Sequence, residues 1–387
     1  MKSATENTEI LRIFLRELCD LCGKEMTSKA TSMSKRIETI DIARGIGILL
    51  VVLAHNDFGF ISQYGYEVIY SFHMPLFFFL SGYFIKTNIS FFEFSKKRFH
   101  SLLKPYLFTL FLIYATSVSF EKMAFGTAIR RIVKSLYGTG VYIDWVQLWF
   151  LPNLFVVSLY AFIFLVLVGR LNNRWLRLGI LTATLALSLP FLKSFYPFSV
   201  SLLGNDYELF GLPFSLDLVF LSGFYYILGS EARQLTTEKM FDNYFLLGIT
   251  GIGVFALNYF IDSPIDLNTR TYSSFFINTF EAIVGILFTL ALSRQIDLHT
   301  HRLASLFKYF GRISLIILIF HVPIQDFWGQ KVLASTDNLP LSIWIGFFMG
   351  VGGSALIYEL FIRRNPVAAW WFGREAEGVE IKKDMSP

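Results

Sequence analysis

Apolar residues run in stretches of about 20 along most of this chain, separated by short segments where lysine and arginine collect. A helix of that length rises through the ~30 Å hydrocarbon core of a bilayer at ~1.5 Å per residue. The pattern predicts about ten spans, at 42–60, 68–87, 105–120, 148–168, 176–195, 212–230, 243–261, 273–293, 306–326 and 340–362. None has the period-two alternation of a barrel strand. The expected fold is all-α, a polytopic transmembrane helical bundle.

Basic residues fall in every second loop. Lys96, Lys97, Arg98 and Lys104 follow the second predicted span, Arg170, Arg174 and Arg177 the fourth, and Arg294, Arg302 and Lys308 the eighth. Lys29, Lys35 and Arg36 precede the first span, and Arg363, Arg364, Lys382 and Lys383 follow the last. This bias puts those loops and both termini in the cytoplasm. The segment 121–147 breaks the rule with Lys122, Arg130, Arg131 and Lys134 on the outer side. It reads either as an amphipathic helix on the surface or as a misplaced span.

Composition agrees with the pattern: 54% of residues are hydrophobic, 16% are charged and 43 are phenylalanine. The net charge of +5 is spread over the cytoplasmic loops, so it is not a nucleic-acid signal. Three regions are expected: a polar and amphipathic cytoplasmic extension over 1–35, a transmembrane domain over 36–364 and a cytoplasmic tail over 365–387. Within the extension, Ile10, Leu11, Phe14, Leu15 and Leu18 make one apolar helix face, which suits a helix lying on the membrane. Cys19 and Cys22 form a lone C-x-x-C, half of what a structural zinc site needs, and no metal is expected.

The chemistry rests on polar groups inside apolar runs. Phe72-His73-Met74-Pro75 and Phe320-His321-Val322-Pro323 share a pattern, and His55 ends the run Ile46 to Ala54. Titratable side chains inside spans are costly and mark functional sites by default, and histidine can take up and release a proton near neutral pH. Counted from the predicted span ends, His55, His73 and His321 each lie about 8 Å from the outer edge. Asn153 and Asp217 fall near that level, which implies a cavity in the outer half of the membrane, with Trp149 as a further candidate cavity residue. Each histidine alone also fits an interhelical hydrogen bond with no catalytic role. Asp217 reads first as a cap for the sixth helix. His100, His299 and His301 read as solvated loop residues.

Arg44 precedes His55 by eleven positions, about 16 Å along a helix. A guanidinium there suits an anion near the cytoplasmic face, although on the residues alone a snorkelling anchor paired with Asp41 is narrowly the better reading, and only the resemblance drawn next reverses that order. Arginine, ten residues, then histidine, followed by Ser71-Phe72-His73-Met74-Pro75-Leu76-Phe77-Phe78-Phe79-Leu80-Ser81-Gly82-Tyr83, resembles membrane acyltransferase family 3. Lys104-Pro105-Tyr106 and Leu148-Trp149-Phe150-Leu151-Pro152 are further similarities, and the pattern is nearest to the fucose 4-O-acetylase-like branch.

The resemblance implies an O-acyltransferase of the inner (plasma) membrane. It would move an acyl group, usually acetyl from cytoplasmic acetyl-CoA, to a hydroxyl of an extracytoplasmic or lipid-linked glycan. It further implies His55 as general base, with an acyl-histidine relay as the alternative, and His73 as a group that orients the acceptor or stabilises the oxyanion. Arg44 would hold the CoA phosphates, with Lys97, Arg98 and Lys104 as a cytoplasmic clamp. Partners would be acyl-CoA, the glycan or glycolipid and membrane lipid. The rival reading is a secondary transporter with a polar site near the midplane, since broken helices build such sites too. The sequence has no Gly-rich phosphate loop, H-E-x-x-H or G-x-S-x-G string.

Overall fold

The computed structural model describes residues 38–374 except 121–122, 203, 236–237 and 262–264. Cys19, Cys22 and the amphipathic stretch before them lie outside the described residues, as do Lys382 and Lys383. Helix α1 covers 38–54. It is followed by α2 (Gln63–Tyr70), α3 (His73–Gly82), α4 (Phe91–Arg98), α5 (Lys104–Ser119), α6 (Phe125–Ser135), α7 (Phe150–Leu167) and α8 (Arg174–Ser188). Then come α9 (Val219–Leu235), α10 (Glu238–Phe241), α11 (Tyr244–Phe260), α12 (Phe275–His299), α13 (His301–Arg312), α14 (Ser314–Thr336), α15 (Leu339–Ile357) and α16 (Pro366–Trp371). Among the described residues five helical stretches are long and apolar enough to cross a membrane, and α13 with α14 makes a sixth if that pair is one broken span. The chain is a membrane-embedded helical bundle.

Two close crossings hold the central helices. A methyl group on Gly82 would strike the Tyr226 carbonyl and one on Gly229 the Phe79 carbonyl, so α3 and α9 touch backbone to backbone. Gly45 meets the Phe307 carbonyl in the same way, and Gly311 that of Asp41, which locks α1 against α13. Small residues permit this approach where no hydrophobic effect drives helices together. Helix α3 is apolar on all sides and buries His73, Leu76, Phe78, Phe79 and Leu80, which places it at the centre of the bundle. Helix α8 buries only Leu181 and Leu185 and lies at the periphery.

The structure redraws several expected spans. The second breaks at Ser71–Phe72 into α2 and α3, because Pro75, in the first turn of α3, has no N–H to carry the α2 ladder onward. Pro323, by contrast, sits inside a continuous α14. The span expected at 306–326 straddles an 80° bend between α13 and α14 and in fact continues to Thr336. The first ends at Ala54 rather than 60, where Asp57 takes a left-handed backbone (φ 61°). The basic segment 96–104, expected as a loop, is helical: α4, one π-helical turn over Phe99–Leu103 and α5 form a single stretch, Phe91–Ser119. Its interleaved Phe94, Leu102 and Leu103 are buried, so the cations ride on a helix that packs.

Segment 121–147 contains the amphipathic helix α6, with Arg131 paired to Asp144 at 3.2 Å. Strands β1 (Phe198–Leu202) and β2 (Asn205–Leu209) form one antiparallel hairpin, and β3 (Ile265–Asp266) and β4 (Thr271–Tyr272) a second. Both lie in segments expected on the outer face. Within the stretch expected as a tail, α16 folds back onto the bundle: Trp371 stacks on Phe108 with centroids 4.9 Å apart, and Phe372 meets Phe320.

Candidate active site

Helix α1 carries both ends of one cavity. Arg44 and His55 line the same space of about 150 Å³, walled by Ile48 and Val51 of α1, Met74 and Phe77 of α3, Trp149 and Phe150 at the head of α7, and Ser314 and Leu318 of α14. Residues 44, 48, 51 and 55 recur at helical spacing, so one stripe of α1 faces the cavity from end to end.

At one end, the Arg44 guanidinium lies over the Phe84 ring, 5.6 Å from its centroid, and makes a single 3.3 Å contact with Asp41. That contact leaves most of the five-donor fork for another anion. Arg374 is near enough to Arg44 to act on it electrostatically and itself donates to the Arg312 carbonyl. Two guanidiniums, Arg44 and Arg374, thus stand near this end of the cavity with the Asp41 carboxylate.

At the other end α1 unwinds. The His55 Nδ1 lies 2.8 Å from the Val51 carbonyl. A carbonyl only accepts, so Nδ1 carries the proton and Nε2 presents its lone pair, the form a general base requires. His73 and His321 repeat the arrangement, with Nδ1 2.9 Å from the Ile69 carbonyl and 2.8 Å from the Ile317 carbonyl. The His55 and His321 rings stand edge to face with centroids 5.6 Å apart, and both His73 and His321 lie within electrostatic reach of His55. The three imidazoles form one cluster. His321 reaches it from the eighth residue of α14 rather than from near a helix end, and its buried Nε2 has no partner among the described residues.

A second, wider space of about 420 Å³ abuts the cluster, with His55 as the residue common to both. It is bounded by the turn after α1, including Asp57 and Phe60, and by Gln63, Tyr66 and Tyr70 of α2.

Of the other sequence candidates, Trp149 lines the first cavity. Asn153 is fully buried, and its amide donates to the Ser215 carbonyl at 2.9 Å, which holds a turn where Phe214 and Ser215 are both left-handed. Asp217 joins a buried bidentate ion pair with Arg270 (2.7 and 3.0 Å) besides accepting from the Leu212 N–H. Lys97, Arg98 and Lys104 are not brought together at the cavity. Lys97 pairs with Glu93, Arg98 donates to the Tyr226 hydroxyl, and Lys104 sits 3.8 Å from the centre of the Trp370 ring.

Sequence reasoning passed over Gln147 and Gln325. Gln147 lines the cavity and donates to the Ile319 carbonyl, and Gln325 donates to the His55 carbonyl. Both are polar groups in apolar runs, and Gln325 stands four residues after His321 on the same helix face, which was the available signal.

The helical bundle thus sets an arginine and a histidine at opposite ends of one cavity, and the sequence of that bundle matches a family of membrane acyltransferases. The chain belongs to acyltransferase family 3, whose acyltransferase domain matches residues 37–359. No curated protein and no solved structure matched it.

Proposed function

We propose that this acyltransferase moves an acetyl group from cytoplasmic acetyl-CoA to a hydroxyl of an extracytoplasmic or lipid-linked glycan, in the inner (plasma) membrane. The supporting observation is the single cavity shared by Arg44 and His55. Arg44, about 16 Å below His55 along α1, holds a donor phosphate at its own end, and the pantetheine arm reaches up the cavity. The thioester carbonyl then lies near His55, and the acceptor hydroxyl arrives from the wider space on its other side.

His55 Nε2 removes the hydroxyl proton as the oxygen attacks the thioester carbon. Collapse of the tetrahedral intermediate forms the ester, breaks the C–S bond and expels the CoA thiolate, which recovers the proton from His55. With its Nδ1 proton on the Ile69 carbonyl, His73 accepts a hydrogen bond at Nε2 and so suits orienting the acceptor better than stabilising an oxyanion.

The test is incubation of the purified protein with acetyl-labelled acetyl-CoA and extracted glycan or glycolipid. Label on the glycan with equimolar free CoA thiol is expected. Intact thioester beside translocated but unmodified glycan would establish the transporter reading instead.

A further inference from the structure

We propose that the space between His55, the 57–60 turn and α2 is a subsite for one neutral pyranose ring of the acceptor, and that it turns away anionic sugars. The inference rests on the acyl-transfer reading of His55 and deepens it.

The ring contacts come first. Tyr66 and Tyr70, four residues apart on α2, lie on one helix face with ring centroids 4.2 Å apart and planes inclined by 30°. The Tyr70 ring in turn stands 4.7 Å from that of His73. The aromatic rings thus make successive contacts, Tyr66 on Tyr70 and Tyr70 edge-on to His73, from the open space to the histidine cluster. A pyranose has a C–H face that packs on such a ring and hydroxyls that need donors and acceptors around its rim. Asp57, an acceptor, and Gln63, both donor and acceptor, stand at the rim, and the tyrosine hydroxyls add further polar tips. A lipid tail would need an apolar groove, and this space is lined by mixed groups.

Charge selects the kind of sugar. Asp326 of α14 lies within electrostatic reach of Asp57, and Asp266 within reach of His55 and Tyr70. Asp57 is thus the carboxylate that lines the space, and Asp326 and Asp266 add negative charge within electrostatic reach of its lining residues Asp57, His55 and Tyr70. A uronic or sialic acid would add another negative charge at close range, which is unfavourable. The left-handed backbone at Asp57 (φ 61°) breaks the helical path two residues after His55, and the turn that follows lines the space with Gly59 and Phe60.

The probes are a panel of neutral methyl hexopyranosides and methyl glucuronopyranoside, with binding to the full-length protein in nanodiscs read by saturation-transfer NMR. At least one neutral glycoside should bind, the glucuronide should not, and Tyr66→Ala should weaken the neutral glycoside at least tenfold while acetyl-CoA affinity stays that of the wild type. Gln63→Ala, at an exposed position, provides a second test if Tyr66→Ala folds poorly. Asp57→Asn should relax the exclusion and let the glucuronide bind. No neutral glycoside bound, or equal binding in the wild type, Tyr66→Ala and Gln63→Ala, overturns the subsite. Release of CoA with the bound glycoside is scored separately. Binding that Tyr66→Ala weakens, with no CoA release, would discard the acyl-transfer reading and leave the subsite standing. Turnover on an acceptor indifferent to Tyr66→Ala and Gln63→Ala would do the reverse.

Discussion

The side-chain amide of Gln325 donates to the backbone carbonyl of His55 at 2.6 Å, tying α14 to the point where α1 unwinds. That carbonyl has lost its helical donor because the chain turns left-handed at Asp57. Gln325 supplies the missing hydrogen bond and fixes the backbone that carries the base. Gln325→Leu is expected to lower kcat about tenfold, the effect of a small misplacement of a catalytic group. Its KM for acetyl-CoA should stay near that of the wild type, whereas a purely packing role would lower Tm and spare kcat.

Arg44 and His55 should separate binding from chemistry. Loss of a charge-assisted phosphate contact costs about 1.5–3 kcal/mol, so Arg44→Ala should weaken CoA binding roughly 10- to 100-fold. Arg44→Lys should recover only part, because a point charge does not replace a planar fork. His55→Ala should bind CoA normally and lose roughly 10²- to 10⁴-fold in turnover. Equilibrium CoA binding and single-turnover rates on the three variants check this. Near-normal turnover by His55→Ala would remove it as the base.

The Asp217–Arg270 pair predicts a stability effect remote from the cavity. Both side chains are completely buried, so removing either partner strands the other charge. Asp217→Ala and Arg270→Ala should each destabilise by about 3–5 kcal/mol, read as lower Tm and folded yield, and Asp217→Leu with Arg270→Leu should recover part of the loss. If each single variant melts like the wild type, the pair is not holding the 211–218 turn to the β3–β4 hairpin.

The basic segments predict an orientation that labelling tests. Cysteines replacing Tyr207 in the β1–β2 hairpin and Thr269 in the β3–β4 hairpin, both exposed, should react with an impermeant thiol reagent from outside. Cysteines at Arg170 and Lys239 should react only after permeabilisation. The opposite pattern would put His55 on the cytoplasmic side and reverse donor and acceptor.

The sequence by itself determined the class of fold, since a backbone in lipid must satisfy its own hydrogen bonds and long apolar runs can do so only as helices. It placed several spans to within a few residues: 148–168 against Val146–Leu167 and 340–362 against Leu339–Ile362. It also singled out Arg44, His55, His73 and His321, because charge and titratable groups are rare in apolar runs and stand out there.

Tertiary structure decided what those residues do for one another. Helical spacing can give the separation of Arg44 from His55, but not that both line one cavity, which depends on α3, α7 and α14 closing around α1. Counting from predicted ends put His321 near an edge, whereas the 80° bend before α14 brings it to His55 from within a longer helix. Asn153, Lys104 and Arg98 were drawn to partners far along the chain, Ser215, Trp370 and Tyr226. Hydropathy along one strand of residues reports how each helix meets lipid; which polar groups meet each other is fixed only when glycines such as Gly45 and Gly82 let particular helices cross at contact distance.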